Sequence, residues 1–362
     1  MPGVLHCRLF RSFRYSDGVI TFRLRFAVNS ADLPHLRQRR NWRNLSGMPF
    51  LRQGSIHLGR VAGINLYLHW SWFVVAVIEI GSRQGRYSSL VWSALEYLAL
   101  FAIVLLHEFG HALACRQVGG TVDRIMLWPL GGVAFVNPPQ RPGATLWSLA
   151  AGPLVNVALL PVFGGAYLAV GALGWEVSSP DVYHLIEWIL LIDVGLLVFN
   201  ILPIYPLDGG QILRSLLWFF MGRARSLYVA TILGFVGAAG LVCLALWMHS
   251  AWSLLIAAYM LLNCWSGFKS ARNMMLLEKL PRREGFACPS CGTHPPVGPL
   301  WKCAQCTRPF DTFESGAICP YCGAQFPNTM CGECQKMSPI SEWAAAANAR
   351  QSATISGSLA NR

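Results

Sequence analysis

Apolar residues run along this chain in long continuous blocks, not in the strict alternation of a half-buried strand. The blocks lie near Leu66–Ile80, Leu90–Val118, Ala144–Leu173, Leu185–Ile204, Leu227–Met248 and Trp252–Phe268. A helix needs about 20 apolar residues to cross a hydrocarbon core of about 30 Å, so the pattern predicts about six spans. Between the second and third blocks stands RIMLWPLGGVAFV, apolar but too short to cross and interrupted by Pro129, Gly131 and Gly132. That piece predicts a re-entrant hairpin or a sheet-like loop. After Leu280 the chain turns polar and rich in Pro, Gly and Cys, which marks a small soluble domain over 281–342. Residues 343–362, mostly Ala, Ser and Asn, read as a disordered tail.

Composition agrees with a membrane protein. Hydrophobic residues make up 54% of the 362 and charged residues 13%, against about 25% charged in a soluble domain. An ordinary cytosolic enzyme is excluded. The net charge of +12 is uneven, with ten Arg against two acids, Asp17 and Asp32, up to Gly54. A basic flank beside a span is what the positive-inside rule expects at a cytoplasmic face, so topology accounts for the charge and nucleic acid is not an expected partner. With that start inside, the inner loops carry Arg116, Arg124, Arg141, Arg214, Arg223, Arg225, Lys269 and Arg272, and the outer ones only Arg83 and Arg86. The expected placement is therefore a multi-pass protein of the cell membrane with both termini cytoplasmic. Residues 1–58 form a basic segment without a signal-peptide pattern, and Met48 followed by Arg52 and Arg60 would serve as a natural start, with the piece before it an extension.

The second block contains HEFGH: His107, Glu108 and His111. Helix positions four apart share a face, so both imidazoles can bind one zinc while Glu108 reaches a metal-bound water as general base. In a soluble helix two such His could equally be packing residues. Inside a membrane, buried ionisable groups are costly unless paired or metal-bound, which favours function. A hydrolytic zinc takes three protein ligands and keeps one position open. The end of the fourth block reads NILPIYPLDGG, where Pro203 and Pro206 break the helix and Gly209 and Gly210 allow an unusual backbone path. Asp208 there is the candidate third ligand.

These segments resemble the site-2 protease family of intramembrane zinc metalloproteases. HEFGH and NILPIYPLDGG meet its HExxH and NxxPxxxxDG patterns, AAGPLVN supplies a GPxxN-like element, and LWPLGGVAF resembles its hairpin beside the active site. The resemblance runs from about Gly59 to Phe268, within an expected intramembrane metalloprotease domain over 59–280. It implies that His107, His111 and Asp208 bind a catalytic zinc, that Glu108 activates water, and that Asn200 contacts the scissile peptide or its oxyanion. The substrate implied is a membrane-embedded protein in the lipid bilayer, cut within or near a transmembrane segment. For Asn156 helix packing is favoured over a site role, and Glu96, Glu187 and Asp193 are expected to form interhelical hydrogen bonds.

Eight of the twelve Cys form four CxxC pairs: Cys288 and Cys291, Cys303 and Cys306, Cys319 and Cys322, Cys331 and Cys334. So small a segment cannot bury enough apolar surface to fold unaided, and thiolates at this spacing hold zinc. The module resembles paired zinc ribbons, with two structural zinc ions. Neighbours in sequence are expected to share an ion, the first two pairs on one and the last two on the other, because shorter loops are cheaper to close. Its charges are balanced, so a cytoplasmic protein partner is expected before nucleic acid. The fold class is thus mainly α, a polytopic transmembrane helical bundle with a small zinc-ribbon domain at the C-terminus. The expected function is intramembrane zinc endopeptidase, with one catalytic and two structural zinc ions. A catalytically silent membrane scaffold working through the ribbons is the alternative. A zinc transporter is a third reading, and it leaves Glu108 unexplained.

Overall fold

The computed structural model describes residues 36–37, 54–82, 85–128 and 131–348. These residues divide into two units, one running to Arg272 and the other taking Asn273 onward together with the two-residue strand β1 (Leu36–Arg37).

The first unit begins with β2 (Ser55–Val61), β3 (Ile64–His69), α1 (Ser71–Ser82) and α2 (Leu90–Gln117). Strands β4 (Thr121–Trp128) and β5 (Gly131–Asn137) follow, then α3 (Pro142–Ala172), the short α4 (Trp175–Ser178) and α5 (Pro180–Ile201). The remaining helices are α6 (Asp208–Met221), α7 (Arg223–Trp247) and α8 (Ala251–Glu278), the last of which continues from Asn273 as part of the second unit. Among the described residues, α2, α3, α5, α7 and α8 are long and apolar enough to cross a membrane, which makes five such helices and not six.

The difference lies at Leu66–Ile80. One apolar run there builds two elements, β3 and then α1, whose 12 residues span only about 18 Å. A strand is tolerated in so apolar a stretch because both of its edges are paired. Strand β3 lies antiparallel to β2 and parallel to β4, in the order β2, β3, β4, β5. Its backbone groups therefore need no water. Side chains alternate as the pleat requires, so that Ile64, Leu66 and Leu68 are buried with Ile125 and Leu127 of β4. Val104 and Ala112 of α2 and Trp72 of α1 complete that core, and Tyr97 Oη donates to the Trp72 carbonyl at 2.8 Å.

Of the two expectations for RIMLWPLGGVAFV, the sheet-like one is found: β4 and β5 pair antiparallel from Thr121–Asn137 to Trp128–Gly131, with residues 129–130 outside the described set. The anticipated unusual backbone at Gly209 and Gly210 is not found, since both lie in the first turn of α6 and are buried.

In the second unit β6 (Trp301–Lys302) pairs with β7 (Pro309–Phe310), and β8 (Thr329–Met330) with β9 (Met337–Ser338). β1 adds in parallel to β6. Trp301, Phe313 and Trp343 form the centre of a core with Leu300, Phe310 and Phe326. Trp343 is 1% exposed, its ring lies 4.9 Å from that of Phe313, and its carbonyl accepts the Ala287 N–H at 2.9 Å. The expected boundary at 342 is thus too early: 340–348 are helical and Trp343 belongs to the folded domain. The proposed extension before Met48, apart from β1, and the tail after 348 lie outside the described residues.

Candidate active site and metal centres

Four residues from two helices build the candidate centre. Helix α2 presents His107 and His111 one turn apart, both buried, and Glu108 beside them. Asp208 opens α6, where a carboxylate is favoured by the exposed N–H groups of the first turn. Its Oδ2 lies 2.9 Å from His107 Nε2 and 3.3 Å from His111 Nε2, and the two Nε2 atoms are 3.1 Å apart.

The outer faces of both rings fix what these nitrogens can do. His111 Nδ1 is 2.8 Å from the Ser148 carbonyl, which only accepts, so the hydrogen sits on Nδ1. His107 Nδ1 is 2.6 Å from Asn156 Oδ1, an acceptor as well. In the neutral rings both Nε2 atoms then carry lone pairs that face each other and a carboxylate oxygen. Three acceptors converging without a donor repel one another unless a cation lies among them. Tetrahedral N and O ligands at about 2.0–2.1 Å from zinc stand roughly 3.3 Å apart, close to the separations here. The donor set fits zinc.

Helix α3 must come very near for Asn156 and Ser148 to reach these rings. Gly152 permits it, since a Cβ there would lie 2.3 Å from His111 Nε2 and 2.7 Å from His107 Nε2. The AAGPLVN segment thus has a steric reason for its glycine. Glu108 is held by β5, with its Oε2 accepting the Ala134 N–H at 2.8 Å. A cavity of about 630 Å³ adjoins the centre, and His107, Glu108, His111, Asn200, Asp208 and Tyr259 are among its lining. Asn200, near the end of α5, therefore shares the cavity with the metal-ligand candidates.

Packing against a neighbouring helix was the expectation for Asn156, and its interhelical contact is a hydrogen bond with His107 on α2, a candidate ligand. Asp193 was expected only as an interhelical hydrogen-bonding residue. It does bond across helices, accepting from Asn156 Nδ2 at 2.6 Å, but that bond leads to the metal centre. The usable signal in the sequence was the need of a metal-bound His for a partner on its other nitrogen.

The cysteines form two quartets in an order that corrects the expected pairing. Cys288 and Cys291 meet Cys331 and Cys334, while Cys303 and Cys306 meet Cys319 and Cys322. One site is nested inside the other. Sγ separations are 3.7 Å for Cys288 to Cys334 and for Cys291 to Cys331, and 3.6 Å for Cys303 to Cys322 and for Cys306 to Cys319. These are far longer than a disulfide of about 2.05 Å and near the roughly 3.8 Å of thiolates around one zinc. The loop-length argument failed because it is weak: each doubling of a loop costs only about 0.6 kcal/mol. In each quartet one thiol is disposed to ionise. Burial opposes it at Cys291, but contacts with Thr293 hold the group down to about 7. Burial likewise opposes it at Cys303, where the N–H groups of Cys306 and Gln305 bring it down to about 7.

Comparison with known proteins adds to this geometry. Residues 96–172 and 168–244 match Peptidase family M50. A zinc metalloprotease of Methanocaldococcus jannaschii is 31% identical over 180 residues, which is 50% of either chain. Rip3 of Mycobacterium tuberculosis is 32% identical over 231 residues, 60% of this chain and 58% of that one. The chain therefore spans only about half to three-fifths of the length of these curated relatives. The solved structure of a site-2 protease from Methanocaldococcus jannaschii is 26% identical with a TM-score of 0.43, covering 59% of this chain and 95% of that chain.

Proposed function

We propose, from the match of residues 96–172 and 168–244 to Peptidase family M50, that the chain is a zinc metalloendopeptidase that cuts a membrane-protein substrate within or near a transmembrane segment. One observation carries the reading: His107, His111 and Asp208 bring their ligand atoms together at the wall of a cavity that Glu108 also lines.

These three residues would hold the zinc. Bound there, zinc supplies Lewis acidity and brings the pKa of a water toward about 7. Glu108 takes the proton that the attacking water gives up and delivers it to the departing amide nitrogen. The Ala134 N–H occupies Oε2, which leaves Oε1 for that transfer and fixes the carboxylate's rotation. Asn200 would donate its amide hydrogens to the carbonyl oxygen of the scissile peptide as charge develops on it. The apolar surroundings of α2 strengthen each of these interactions by excluding bulk water.

The basic inner loops support a topology in which the centre lies toward the cytoplasmic side and both termini are cytoplasmic. Two further zinc ions would be structural, one in each cysteine quartet, giving three per chain. A protein partner suits the ribbon unit better than nucleic acid, because Lys302, Arg308 and Lys336 are offset by Asp311, Glu314 and Glu333. The function is tested by comparing wild type with Glu108→Gln for cleavage of membrane proteins, with zinc content measured on both. Lost cleavage with zinc retained supports the assignment, and undiminished cleavage by the variant rejects it.

A further inference from the structure

Two fully buried polar side chains line up behind the candidate metal centre. Asp193 on α5 and Asn156 on α3 are each 0% exposed. Asp193 Oδ1 accepts from Asn156 Nδ2 at 2.6 Å, and Asn156 Oδ1 faces His107 Nδ1 at 2.6 Å. We propose that Asp193 is a positioning residue of this centre, acting through Asn156 to fix the tautomer and orientation of His107. The proposal rests on the metalloprotease reading above.

The amide of Asn156 has two faces, one accepting and one donating. Its oxygen and nitrogen ends have nearly the same shape, so a ring nitrogen alone does not decide which end faces it. With the NH₂ end toward His107, Nδ1 would have to be the acceptor, and the ring hydrogen would move to Nε2. That atom is the one meeting His111 Nε2 and Asp208 Oδ2, and a protonated Nε2 has no lone pair for a metal. A carboxylate accepts only, so Asp193 claims the NH₂ end and turns Oδ1 toward the imidazole. His107 must then carry its hydrogen on Nδ1 and aim a lone pair into the centre. His111 needs no such device, because the Ser148 carbonyl can only accept.

A carboxylate within an apolar helix is costly, and a bond that merely joined α3 to α5 could be made by two neutral side chains. The two explanations separate on metal affinity. In purified full-length protein, zinc is titrated against a chelating dye, and the intramembrane site is identified as the zinc missing from His107→Ala. Loss of a partner behind a metal-bound His typically weakens binding 10–100-fold, and for Asp193→Asn a drop of about tenfold at this site is expected, with ribbon zinc unchanged. The exchange Asn156→Asp with Asp193→Asn keeps one charge and restores an acceptor toward His107, so it should recover the affinity to within about threefold. Should Asp193→Asn not fold, Asn156→Leu is predicted to show the same weakening.

Wild-type zinc affinity in Asp193→Asn or Asn156→Leu, or a folded exchange variant as weak as the single one, overturns the proposal. No His107-dependent zinc in the wild type would overturn the metal centre itself, and the proposal with it.

Discussion

Glu108 on α2 accepts the backbone N–H of Ala134 on β5 at 2.8 Å, which ties the candidate general base to an edge strand of the sheet. The hairpin that sequence marks only as apolar and too short to cross thereby acquires a chemical task. It sets where the carboxylate sits relative to the two imidazoles.

Gly132 is where this contact is most vulnerable, since a Cβ there would lie 2.3 Å from Glu108 Cγ. Gly132→Val should push the carboxylate from its place while leaving His107, His111 and Asp208 able to hold metal. A misplacement of about 1 Å can cost about 100-fold in rate, so turnover should fall by about that much with zinc content unchanged. Turnover and zinc are measured on the same preparation.

The nested quartets predict which cysteines fail together. Cys291→Ser and Cys331→Ser should each release the same zinc and leave the one held by Cys303, Cys306, Cys319 and Cys322. Pairing of sequence neighbours would instead make Cys291→Ser and Cys303→Ser equivalent. Zinc counts combined with thiol alkylation, mapped by mass spectrometry, distinguish the two patterns.

Acidification should release ribbon zinc, because protons and metal compete for the same sulfurs. Cys291 and Cys303 are held down to about 7, below the ordinary thiol value. A depressed value contributes stability at higher pH and loses it as pH falls through about 7. Bound zinc moves protonation of these sulfurs to lower pH still, so chelator-driven release is expected to quicken as pH is lowered below about 7, and a release rate that does not change on acidification would contradict the assignment.

What the sequence made legible follows from how local each constraint is. HEFGH sits on one helix, so its spacing alone put His107, Glu108 and His111 together, and the need for a third zinc ligand, with the broken helix end of NILPIYPLDGG, pointed to Asp208. Strand β3 was hidden because Leu66–Ile80 has the hydropathy of a span, and only its pairing with β2 and β4, distant in sequence or set by a turn, makes an extended backbone acceptable. The Asn156 to Asp193 bond joins residues 37 apart on different helices, and no local pattern encodes it. Trp343 was assigned to the tail from the composition around it, although its partners Phe313 and Ala287 lie well upstream.

That tryptophan gives a direct check on the domain limit. Removing a buried Trp side chain costs about 3–5 kcal/mol, a large part of the stability of so small a unit. Trp343→Ala should therefore expose the ribbon to limited proteolysis and speed its zinc loss, while the intramembrane centre keeps its metal. Truncation before residue 343 should act the same way.

The central claim is that the chain cuts membrane proteins with Glu108 as the base. The most direct measurement compares membrane-protein termini and precursor levels between cells producing wild type and cells producing Glu108→Gln at equal abundance. The account predicts that at least one membrane protein loses a cleaved form and accumulates uncut in the variant, with zinc still bound. Identical cleavage patterns in the two strains would contradict it.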